Sequence, residues 1–180
     1  EDILRNAFNM ELAKGNATYS EGVYAVAMDP NTGSILALAG VKHDLETGEI
    51  SADALGTITN VFVPGSVVKA ATLTAGWQYG AISGNQSLVD QPILFAGSAP
   101  INSWFTAYGS RSITAVEALE YSSNTYMVQV ALNMLGTPYS PNMALGTNNV
   151  DASMKKLRST FAEYGLGTGT GIDLPTESTG

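Results

Sequence analysis

Ser66 and Lys69, three positions apart, are the residues of this 180-residue chain best spaced for chemistry. They close the segment Val63-Pro64-Gly65-Ser66-Val67-Val68-Lys69, in which Pro64-Gly65 is a turn signal. From Ser66 to Trp77 there is no proline, glycine occurs only at Gly76, and Ala70, Ala71, Leu73 and Ala75 are apolar. The pattern predicts a helix that is apolar on most sides and therefore buried. Ser66 then sits at or near its N-terminus, with Lys69 one turn along the same face. Burial disfavours an ammonium and lowers its pKa. A readily deprotonated amine beside a hydroxyl activates a serine without histidine. The helix start adds free N–H groups and partial positive charge where negative charge develops.

The spacing alone is weak. A second copy, Ser153-Met154-Lys155-Lys156, lies in a charged helical pattern from Asp151 to Tyr164, lacks the Pro-Gly turn and is expected to point its lysines into water. The plain alternative for Ser66 is a helix N-cap followed by a lysine that snorkels.

Composition narrows the partners. Hydrophobic residues make up 44% and charged residues 13%, with a net charge of −8. That balance argues against nucleic acid or an anionic membrane surface as the main partner. There is no cysteine and one histidine, so neither thiolate chemistry nor a zinc site is expected, and no metal or cofactor is called for. His43 lies in a polar, turn-like stretch with no nucleophile elbow near it, which speaks against a Ser-His-Asp triad. No apolar run is long enough to span a membrane. Zero cysteine fits an extracytoplasmic protein, though it fits others too.

The elements that must position the serine and lysine read as follows. Ile3 to Lys14 has helical spacing. Gly22 to Met28 and Ser34 to Ala39 read as strands joined through Asp29-Pro30-Asn31-Thr32-Gly33, a hairpin. Asp29-x-Asn31-x-Gly33 faintly echoes a calcium loop but lacks its closing glutamate. Val41 to Asn60 reads as an irregular loop, and Ala81 to Tyr108 as loop with Trp104 and Phe105 as anchors. Ile113 to Glu120 and Thr125 to Leu135 read as helices separated by Tyr121-Ser122-Ser123-Asn124. The glycine-rich tail from Gly165 to Gly171 has no strand before it and no helix directly after it, against a phosphate loop.

Ser122 and Asn124 also fit Ser-x-Asn, a pattern that recurs at Ser83 and Asn85 and at Ser140 and Asn142. Only the first copy lies between two apolar helices, where polar side chains are held rigidly; capping at a tight junction is the plain alternative. Taken with the hairpin Ala25 to Ala37, Pro64 to Lys69, and Gly171-Ile172-Asp173-Leu174-Pro175-Thr176-Glu177, the chain resembles the transpeptidase domain of class B penicillin-binding proteins, most closely the 2B type of Gram-positive bacteria. Four motifs in family order, spread over most of the chain, are far more specific than any one.

The resemblance implies an α+β fold of the penicillin-binding protein/β-lactamase-like serine transpeptidase kind, here the early hairpin plus the helical lobe, with residues 1–180 as the N-terminal part of that domain. The Lys-Thr-Gly motif of the family occurs nowhere, and the pedestal domain and membrane anchor are expected outside the segment. It implies a penicillin-sensitive D,D-transpeptidase that cross-links peptidoglycan stem peptides. Ser66 would be the nucleophile, Lys69 its proton acceptor, Ser122 a relay to the leaving nitrogen, and Asn124 a holder of Lys69 and of the substrate amide; Ser66, Ser122 and Asn124 would touch substrate. Implied partners are stem peptides, β-lactams bound covalently at Ser66 and other cell-wall synthesis proteins. The implied location is the extracytoplasmic face of the bacterial cell membrane. Alternatives are a serine β-lactamase, a non-catalytic β-lactam sensor and an inactive half-domain. With only a two-stranded hairpin, the segment alone is expected to be poorly stable and catalytically weak.

Overall fold

The computed structural model of the protein describes residues 1–179, which divide into two compact units. One is Glu1–Phe62 with the tail from Gly171, and the other is Val63–Thr170.

In the first unit α1 (Asp2–Ala13) precedes a three-stranded antiparallel sheet of order β1-β2-β3, with β1 at Gly22–Met28, β2 at Ile35–His43 and β3 at Ile50–Ala52. The hairpin between β1 and β2 forms where the sequence indicates. Asp29 closes it, its carboxylate accepting from the Asn31 N–H at 2.8 Å and its carbonyl accepting from the Gly33 N–H at 2.9 Å. Gly33 takes φ +73°, a conformation that side chains resist. The sheet has one more strand than expected, because Val41 to Asn60 is not one irregular loop. β2 runs on to His43, Asp44 turns the chain by accepting from the Glu46 and Thr47 N–H groups, and β3 returns beside β2 before the short helix α2 (Gly56–Thr59). His43 is thus a buried strand end. Its ring packs edge-on against Phe8 at 5.6 Å, and its Nδ1 lies 2.9 Å from the Ser20 carbonyl. Tyr24 on β1 donates to Asp53 at 2.8 Å and accepts from the Asn60 amide at 2.9 Å.

In the second unit a 3-10 turn over Gly65–Val68 leads into α3 (Lys69–Gln78). A two-stranded ribbon of β4 (Ser87–Asp90) and β5 (Arg111–Thr114), α4 (Ala115–Glu120), α5 (Asn124–Met134) and α6 (Thr147–Glu163) follow. The ribbon corrects the expectation of loop before Tyr108 and of a helix from Ile113. Ser112 to Thr114 pair with β4, and Thr114 then starts α4 through a capping box with Glu117. The alternation that buries Ile113 continues the strand up to the cap, which is why helical spacing misplaced the boundary. α6 begins four residues earlier than Asp151.

The core of this unit is Leu73, Ala75, Ile82, Phe105, Ile113, Ala115, Ala118, Tyr126, Met127, Val130 and Met134. Burying a Leu, Ile or Val here contributes roughly 1.5–3 kcal/mol. α3 packs on α5 at Gly76, where an added Cβ would lie 2.6 Å from Val130 Cγ1 and 3.1 Å from Ile82 Cγ1. The helix-weakening glycine is thus required by close approach. The α+β expectation holds, with two small antiparallel sheets in place of one hairpin.

Candidate active site

Ser66 lies in the 3-10 turn, exposed, at the entry to α3 as the sequence indicates, while Lys69 one turn on is buried. The helix is amphipathic only locally. Thr72, Leu73, Ala75 and Gly76 face the interior with Lys69, and the tight turn keeps the serine at the surface.

The ammonium of Lys69 has three protons and finds three oxygen acceptors. It donates to the Ser122 carbonyl at 2.7 Å, to Ser122 Oγ at 2.9 Å and to Asn124 Oδ1 at 2.7 Å. Burial pulls its pKa below the ordinary lysine value. Ser66, by contrast, makes no side-chain hydrogen bond among the described residues, to Lys69 or to any other group. The structure brings Lys69, Ser122 and Asn124 together and leaves Ser66 free at the adjacent turn. With all three ammonium protons engaged, Lys69 has none left for Ser66, and a link to that serine requires the neutral amine.

The α4–α5 junction sets this geometry. Ser122 has φ +53°, a left-handed conformation uncommon outside glycine and asparagine. The bend turns both its carbonyl and its hydroxyl to the lysine. Ser123 caps α5, its hydroxyl accepting from the Tyr126 N–H at 3.0 Å. Asn124, the first residue of α5, donates its amide nitrogen to the Asn102 carbonyl at 3.1 Å, which leaves its oxygen for Lys69. Capping and site chemistry therefore coexist here, on different residues of one short segment.

The second Ser-x-x-Lys copy has another use. Ser153 is buried and donates to the Ala131 carbonyl at 3.2 Å; Lys156 donates to the Met134 carbonyl at 3.1 Å and lies 5.3 Å from the centre of the Tyr79 ring. The expectation that Lys156 is solvent-exposed is wrong: it is half-buried, on the carbonyls that end α5, where a cation complements the helix dipole.

Sequence reasoning missed Asp90, Asn102 and Ser103. Ser103 Oγ donates to Asp90 at 2.8 Å and accepts from the Asn124 N–H at 3.1 Å, and Ser123 also donates to Asp90. These residues form no spaced motif. The available signal was the short β-prone pair Leu88-Val89, closed by a carboxylate at Asp90. Trp104, expected as an anchor, is largely exposed; its indole N–H donates to the Tyr121 carbonyl at 2.7 Å and its ring meets that of the buried Phe105 edge-on at 5.4 Å.

The chain as a whole is similar to several known proteins. A family model described as the penicillin binding protein transpeptidase domain matches residues 23–180. The chain is 67% identical over 179 residues to penicillin-binding protein 2B of Streptococcus pneumoniae, covering 99% of this chain and 26% of that protein. It is 39% identical to penicillin-binding protein H of Bacillus subtilis, covering 100% and 25%. To the peptidoglycan D,D-transpeptidase FtsI of Escherichia coli it is 31% identical, covering 89% and 24%. A solved structure of penicillin-binding protein 2B from Streptococcus pneumoniae strain R6 superposes with a TM-score of 0.94 at 66% identity, covering 100% of this chain and 29% of that one. The chain thus spans about a quarter of the length of the curated relatives it matches, 26% for the pneumococcal protein. With a matching family model over most of its length, the chain belongs to the penicillin-binding protein transpeptidase domain family.

Proposed function

We propose that these residues form the nucleophile-bearing side of a penicillin-sensitive peptidoglycan D,D-transpeptidase. The observation that carries the reading is Lys69, buried one turn from an exposed serine and held by Ser122 and Asn124. The names of the relatives, penicillin-binding proteins and a D,D-transpeptidase, support the substrate class.

In this reading neutral Lys69 takes the proton of Ser66 as its Oγ attacks the carbonyl of the D-Ala-D-Ala peptide bond of a stem peptide. A bond forms between Ser66 and the acyl carbon, negative charge gathers on the carbonyl oxygen, and the Ser66 N–H at the helix start stabilises it. The carbon–nitrogen bond then breaks. Ser122 Oγ, 2.9 Å from the lysine nitrogen, passes a proton to the leaving amine, and D-alanine departs. An amine of a neighbouring stem next attacks the ester, its proton returning through the same groups to Ser66 as the cross-link forms. A β-lactam follows the first half and stops at the acyl-enzyme, because its leaving nitrogen stays tethered. Asn124 holds both Lys69 and the substrate amide.

We further propose that the 180 residues are the N-terminal part of the catalytic domain, working at the extracytoplasmic face of the membrane with other cell-wall synthesis proteins. The 26% coverage of the pneumococcal relative fits a chain that spans part of a longer protein. No described helix is long and apolar enough to cross a membrane. The test is mass spectrometry of the intact protein after incubation with a labelled penicillin. A stable adduct on Ser66, lost in Ser66→Ala, is expected. An adduct that persists in Ser66→Ala overturns the nucleophile, and steady hydrolysis of the penicillin identifies a β-lactamase instead.

A further inference from the structure

We infer that Asp90 is a positioning residue for this site: its buried carboxylate sets the orientation of the Ser103 and Ser123 hydroxyls, and through them the start of α5 and the face that Asn124 turns to Lys69. The inference rests on the proposed function above.

Asp90 ends β4 and is 1% exposed. A buried carboxylate is costly unless it is well paired. Its cross-strand neighbour Arg111 does not pair with it. The guanidinium lies instead over the rings of Phe105 and Tyr121, 4.3 and 4.7 Å from their centres, and Asp90 has no ion pair among the described residues. What offsets its burial is hydroxyl donors: Ser103 and Ser123 both on Oδ2, with Thr106 a longer 3.4 Å from Oδ1.

A carboxylate accepts and does not donate, so both serine hydroxyls must point their protons at it. Their lone pairs are then fixed towards the start of α5, whose first N–H groups have no partner within the helix. Ser123 Oγ accepts from the Tyr126 N–H at 3.0 Å; Ser103 Oγ accepts from Asn124 at 3.1 Å and from Thr125 at 3.4 Å. Holding Ser103 also holds its neighbour Asn102, whose carbonyl takes the Asn124 amide nitrogen at 3.1 Å. The Asn124 oxygen is left with one direction, towards Lys69 at 2.7 Å. Asp90 therefore reaches the lysine through two hydrogen-bonded layers. It acts by geometry: no neighbouring charge enters the environment of Lys69, whose shift comes from burial.

The test is Asp90→Asn in the intact protein, which keeps the shape but removes the charge: the amide oxygen can replace Oδ2 as the acceptor of both serine hydroxyls, so those hydrogen bonds remain but weaken. Acylation of Ser66 by labelled penicillin, counted per folded molecule, should fall about tenfold, the effect of one weakened charge-assisted hydrogen bond. Because Asn124 then holds the ammonium less firmly, the acid limb of the acylation pH profile should move to lower pH by about half a unit or more. A merely structural residue would lower the folded fraction and leave rate per molecule and midpoint alone, and that result overturns the inference. Ser103→Ala should reproduce the shift, and it decides the matter if Asp90→Asn fails to fold. Should the parent protein take no label at all, the proposed function fails on its own. Titration of Lys69 by carbon-13 lysine NMR then tests Asp90 directly, and an unmoved midpoint in the variant overturns it.

Discussion

Lys69 meets Ser122 twice, through the serine carbonyl at 2.7 Å and its hydroxyl at 2.9 Å. The carbonyl can only accept, so it serves the charged and the neutral lysine alike. The hydroxyl can reverse, accepting from the ammonium and donating to the amine. The reversible contact is the one suited to moving a proton; the other fixes the side chain while it does so.

The depressed pKa of Lys69 has two signs to check. For activity, the proposed mechanism makes the neutral amine the base, so penicillin acylation should rise with pH through a midpoint below the ordinary lysine value and then level off. For stability, the unfolded chain binds more protons than the folded one between the depressed value and the ordinary one. Stability should therefore increase as pH rises across that window, and the charge penalty is fully present below it. Lys69→Arg, which cannot deprotonate, should abolish acylation at every pH. Stopped-flow acylation across pH checks the first point and chemical denaturation across pH the second.

Asn124→Ala removes one of three ammonium acceptors and the link to Asn102. Acylation should drop by about one to two orders of magnitude, as expected on losing one or more hydrogen bonds to a charged group. The melting temperature should fall by only a few degrees. A variant that acylates at the parent rate would remove Asn124 from the site.

Gly76→Ala drives a Cβ into Val130 and Ile82. The expected cost is about 1–3 kcal/mol, the usual range for overpacking a core. Val130→Ala in the same chain should recover part of it, so the double-mutant cycle should give a coupling well away from zero. Additive losses would mean that α3 and α5 are not locked at this contact.

Lys156→Met should remove a hydrogen bond to the end of α5 at a cost of roughly 0.5–1.5 kcal/mol. Labelling of Ser66 should be unchanged. Any loss of labelling per folded molecule would give the second Ser-x-x-Lys copy a role beyond packing.

Tyr24 is pushed up to about 12, first by burial and then by the hydrogen bond and charge of Asp53. Here the folded state holds the extra proton between the ordinary tyrosine value and the raised one. Stability contributed by Tyr24 should be present below about 10 and lost as pH rises towards about 12. A spectrophotometric titration should show a late-ionising tyrosine that disappears in Tyr24→Phe.

What the sequence made legible was whatever is written locally. Pro64-Gly65 before an apolar run located the serine, and Asp29 to Gly33 located the hairpin. The pairing of Lys69 with a residue more than fifty positions away, Ser122, was legible only because motifs in a known order stood in for contacts. Asp90 had no such help. Its importance depends on hydroxyls thirteen and thirty-three residues distant, Ser103 and Ser123, and no periodicity encodes that. β3 escaped for a related reason: at three residues it is too short to alternate visibly. Lys156 was misjudged because a charged helix face was equated with water, when the long stem lets the amine reach the backbone of a neighbouring helix.

The left-handed backbone at Ser122, φ +53°, also bears on which substitutions evolution can sample there. Threonine keeps the hydroxyl, but its branched Cβ is poorly tolerated at that angle, a strain of order 1–3 kcal/mol. Glycine and asparagine suit the angle, but neither offers a hydroxyl that can both accept and release a proton. The residues that satisfy the backbone and those that satisfy the chemistry thus form two nearly separate sets, with serine in their overlap. Under the proposed function, substitution at residue 122 is therefore constrained from both directions, and a changed response to β-lactams would have to come from the residues around it.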